Sequence, residues 1–127
     1  MAQNVTNAEI IRRYETVVRV PQGLNRFTTI IGAMPDVPIA GGRHWTETYT
    51  CLVGPVLRNH EFLGATCLPS IASLDVSMLE LAQCAIESSE AEWDEVSGRI
   101  ELRVRMSGAG AAAQARILFG TTILAAA

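Results

Sequence analysis

Lysine is missing from this 127-residue chain, and all ten cations are arginines. They are scattered, and the net charge is −3. A nucleic-acid binder shows a clustered basic footprint, so that class is excluded; coding bias accounts for the lysine gap. Histidine is scarce, with two residues, and cysteine numbers three, at 51, 67 and 84. An odd count at wide spacing implies no disulfide framework, and cysteine is a residue type often buried as a reduced thiol. No apolar run reaches the roughly 18 residues that a membrane-spanning helix needs. The first residues, Met-Ala-Gln-Asn-Val-Thr-Asn, lack the basic and apolar regions of a signal peptide. The expected compartment is the cytoplasm, with no membrane and no nucleic-acid partner.

What is present is apolar: 49% of residues are hydrophobic and mean hydropathy is +0.23. That argues against disorder. The length fits one domain, 1–127, able to bury a core without metals or disulfides. No internal repeat or linker divides it.

Along the chain, residues 7–17 read as a short helix, with Asn7 as N-cap and Ile10, Ile11 and Tyr14 on one face. The β-branched run 16–20 could begin a strand instead. Residues 1–21 are therefore expected to form an N-terminal arm. Residues 27–34 and 44–53 are strand-like, with a Pro/Gly loop over 35–42 between them. Residues 56–68 read as a short strand and a turn. Residues 72–85 fit both templates: Leu74, Met78, Leu81, Ala82 and Ala85 share a helical face, while Leu74, Val76 and Met78 alternate with Asp75 and Ser77. The alternation and the β-rich surroundings favour strand.

The last third is clearer. Ile100, Leu102, Val104 and Met106 alternate strictly with Arg99, Glu101, Arg103 and Arg105, the pattern of a half-buried strand. Before it, Ser89, Ala91 and Trp93 alternate with Glu90, Glu92 and Asp94, and 95–98 supplies a turn. Folding one segment on the other puts Trp93 and Ala91 with Ile100 and Leu102. The acids then share a face with Arg99, Arg103 and Arg105, and such cross-strand pairs fix register. After a turn at 107–110, residues 115–125 form a strand apolar on both faces, with Arg116 its last charge. Such a strand is either central between layers or covered by a partner. The expected fold is mainly β: an antiparallel sandwich or barrel of about six to eight strands with a short N-terminal helix or arm.

Chemistry-bearing constellations are few. The acids Glu87, Glu90, Glu92, Asp94 and Glu95 lack a calcium-loop pattern and read as a salt-bridged face. His44, His60 and the three cysteines lack the close pairs of zinc sites; the nearest His–Cys spacing is seven. No metal and no cofactor is expected. A thiol activated by His60, at Cys51 or Cys67, has no cationic neighbour in the sequence to lower its pKa.

The stretch 60–83 runs His-Glu-Phe-Leu-Gly, then Pro69, Asp75 and Gln83. It loosely resembles the active-site stretch of hotdog-fold acyl-carrier dehydratases, over about 24 residues. That resemblance implies His60 as acid/base, Asp75 as its partner across a dimer, and a long buried helix over 72–85. The chain departs from it at Pro69-Ser70, where the family has Pro-Gly, and in the distance from Asp75 to Gln83.

The sequence thus favours a non-catalytic β-domain that works through protein contacts, as a homo-oligomeric or assembly subunit. The candidate contact residues are Ile117, Leu118, Phe119, Ile123 and Leu124. The alternatives are a hotdog-type thioester dehydratase or thioesterase using His60 and Asp75, and a small-molecule barrel lined by Trp45, Tyr49 and Phe62.

Overall fold

A computed structural model describes residues 2–4, 9–20, 23–39, 42–76, 83–110 and 113–126. They build two sheets, and no α-helix is found among them. The strands are β1 (Ala2–Asn4), β2 (Glu9–Val20), β3 (Gly23–Ile39), β4 (Gly42–Val53), β5 (Phe62–Ala65), β6 (Leu68–Val76), β7 (Gln83–Trp93), β8 (Ile100–Gly110) and β9 (Ala113–Ala126). Seven of these have nine residues or more, in line with the expected six to eight; β1 and β5 are short. Sheet A has the order β1-β4-β8-β7. Sheet B has the order β2-β3-β9, with β5 and β6 sharing the far edge of β9. Every pairing is antiparallel except β1 with β4.

The sheets meet through alternate residues of the four central strands. Ile30 and Met34 of β3, Tyr49, Cys51 and Val53 of β4, Ile100 to Met106 of β8, and Ile117, Phe119 and Ile123 of β9 form one buried cluster. The strict alternation read in β8 is reproduced, with Ile100, Leu102, Val104 and Met106 all fully buried.

The hairpin follows the register expected of it: Trp93 lies opposite Ile100 and Ala91 opposite Leu102. Its turn is closed by Asp94. That residue exchanges backbone hydrogen bonds with Arg99 and Gly98, and its carboxylate accepts from the Ser97 amide (2.9 Å) and hydroxyl (2.7 Å). These donors hold the Asp94 carboxyl below the usual range. Gly98 takes the positive φ, +72°, that the turn needs.

Three expectations are corrected. The helix expected over 7–17 is replaced by strand from residue 9 on: residues 9–20 pair along β3 from Ala33 to Gly23, and Asn7 and Ala8 lie outside the described residues. The β-branched residues that begin at Thr16 suit that neighbour, and cross-strand pairing outweighs the weak helical periodicity. The 35–42 loop shrinks, because β3 continues to Ile39 past an irregularity between Met34 and Val37 that accommodates Pro35. The 107–110 turn is strand, with Gly108 and Gly110 paired to β4. In the ambiguous stretch, residues 72–76 and 83–85 are strands; Met78, Leu81 and Ala82 lie outside the described residues.

Candidate functional site

The two outward sheet faces differ in chemistry. On sheet A the outward face carries ion pairs. Arg103 contacts Glu101 at 2.8 Å and Glu90 at 3.8 Å, and Arg105 contacts Glu87 at 3.1 Å. The expected partners are only partly kept. Glu92 falls opposite Glu101, Asp94 caps the turn, and Arg99 donates from Nε to the Gly54 carbonyl at 3.1 Å. The bulge between Ile86 and Ser88 brings Glu87 to Arg105 instead.

The centre of sheet B is built otherwise. Thr28, Ile30 and Met34 of β3 point inward, as do Ile117, Phe119, Thr121 and Ile123 of β9. The alternate residues therefore face out, and register sets them in rows: Phe27 beside Leu124, Thr29 beside Thr122 and Ile31 beside Gly120; Ala33, beside Leu118, is covered and only 1% exposed. Leu68 of β6 flanks Gly120 on its other side. None of these residues is charged. Ile31 is 37% exposed and Leu68 74%. The Thr29 and Thr122 hydroxyls lie 3.4 Å apart. Gly120 makes a gap between Ile31 and Leu68, since a Cβ there would meet nothing within 4 Å.

The five contact candidates divide by parity. Ile117, Phe119 and Ile123 are core residues, at most 2% exposed, which removes them from any outward contact. Leu118 and Leu124 are half-buried on the outward face. Ile31, Leu68 and Gly120 join them there. The sequence hinted at Gly120 through its place in an uncharged strand; its neighbours depend on pairings nearly ninety residues apart in sequence.

His60 is exposed, in a single 3-10 turn, Asn59–Glu61. Asp75 lies in β6 opposite Gln114 of β9. The helix that the hotdog resemblance implies is replaced by strand at 72–76 and 83–85, in two different sheets. Burial pushes the Cys51 thiol up to about 12 and the Cys67 thiol up to about 11, and raises Cys84 as well. Such thiols stay protonated at neutral pH, the wrong state for a nucleophile. Among the described residues, no three His, Cys, Asp or Glu side chains gather as a metal-ligand group. No helix among them is long and apolar enough to cross a membrane.

An open cleft of about 400 Å³ lies where β4, β7 and β8 adjoin, lined by His44, Trp45, Thr46, Cys84 and Ser107 over Gly108. Of the three aromatics expected to line a pocket, only Trp45 borders it. Tyr49 is fully buried in the core, and burial, with Glu47 nearby, pushes its hydroxyl up to about 12. Phe62 packs half-buried against the core.

No family model, no curated protein and no solved structure matches this chain.

Proposed function

We propose that the chain is a non-catalytic, self-assembling β-domain that acts through protein contacts as a homo-oligomeric subunit. One observation carries this reading: the adjoining β3 and β9 rows on the outward side of sheet B are apolar or uncharged, where the outward side of sheet A carries ion pairs. Sheet A presents paired charges, as a solvent-facing sheet does. Sheet B exposes Ile31 and Leu68 beside uncharged residues of β3 and β9, with Arg12 of β2 opposite Ile31 and Arg116 two residues before Leu118. A contiguous exposed apolar area of this kind marks an interaction surface in a soluble protein. The test is the solution mass of the purified chain at micromolar concentration. A mass above that of the 13.7 kDa monomer is expected; a monomer overturns the reading.

The cleft beside Trp45 supports a second reading, a small-molecule binder, because pockets combine an aromatic wall with a few polar groups. A small molecule retained through purification and seen by native mass spectrometry would favour it; an empty chain would remove it.

A further inference from the structure

We draw no further inference here: the strongest candidate, the open cleft where β4, β7 and β8 adjoin, lined by His44, Trp45, Thr46, Cys84 and Ser107, belongs to the small-molecule reading already given, and nothing among its described residues singles out one ligand chemistry.

Discussion

The indole of Trp93 donates from Nε1 to the backbone carbonyl of Leu57 at 3.0 Å, tying the end of the β7–β8 hairpin to the chain that leaves β4. Leu57 is itself 2% exposed, and its amide donates to the Gly98 carbonyl at 2.7 Å. Trp93→Phe keeps the ring and removes the donor. The unfolding free energy is expected to fall by about 1–2 kcal/mol, since a partly buried carbonyl loses its partner. Urea denaturation followed by Trp45 fluorescence measures it.

Gly98 faces the same clamp. Its φ of +72° disfavours any L side chain, and a Cβ there would lie 3.0 Å from Val56 Cγ1 and 3.1 Å from the Leu57 carbonyl oxygen. Gly98→Ala should cost about 1–3 kcal/mol, more than an exposed turn position would. A thermal melt that matches the native chain would contradict this account of the turn.

Thr121 offers a gain. It is fully buried on the inner face of β9, and its hydroxyl has no hydrogen-bond partner among the described residues. Replacing that hydroxyl with a methyl group removes an uncompensated desolvation cost. Thr121→Val is expected to raise stability by about 1 kcal/mol, read as a higher urea midpoint with an unchanged slope.

The buried thiols give a pH dependence of definite sign. Cys51 and Cys67 titrate near 12 and 11 in the folded chain, against about 9 in an exposed thiol. The folded state therefore holds its thiol protons where the unfolded state releases them. Their contribution is whole below pH about 9 and is lost as pH rises through 9 toward 11 and beyond. Unfolding free energy measured across that window should decline, and less steeply in Cys51→Ala, Cys67→Ala. At neutral pH, half-buried Cys84 should be alkylated before the other two.

The parts legible in the sequence were those fixed by neighbours in the chain. The hairpin has two alternating segments and a four-residue turn, so local pattern alone sets Trp93 against Ile100. Charge pairing was harder even there. A strand brings residues two apart onto one face, so Arg103 reaches Glu101 on its own strand at 2.8 Å as readily as an acid across the ladder. The bulge after Ile86 then shifts which acid meets Arg105. The N-terminal segment misled although its partner β3 begins three residues after it ends: Ile10, Ile11 and Tyr14 lack the strict alternation that marks β8. The outward rows of sheet B were beyond reach for another reason. Ile31, Gly120 and Leu68 have no sequence pattern in common, and only the pairing of β3, β9 and β6 makes them neighbours.

The place of β9 at the centre of sheet B also orders how the chain assembles. β3, β5 and β6 all pair with β9, which follows every one of them in sequence. Thr29 and Thr122, in contact in the finished sheet, are 93 residues apart. Closing so long a loop is entropically slow. The β7–β8 hairpin has no such delay. During synthesis, then, β7 and β8 pair at the edge of the charged layer as soon as β8 is made, while β3, β5 and β6, made before them, wait for β9 with a ladder edge unmatched. That interval, before β9 arrives, is when the chain is most exposed to misassembly and has most need of a chaperone.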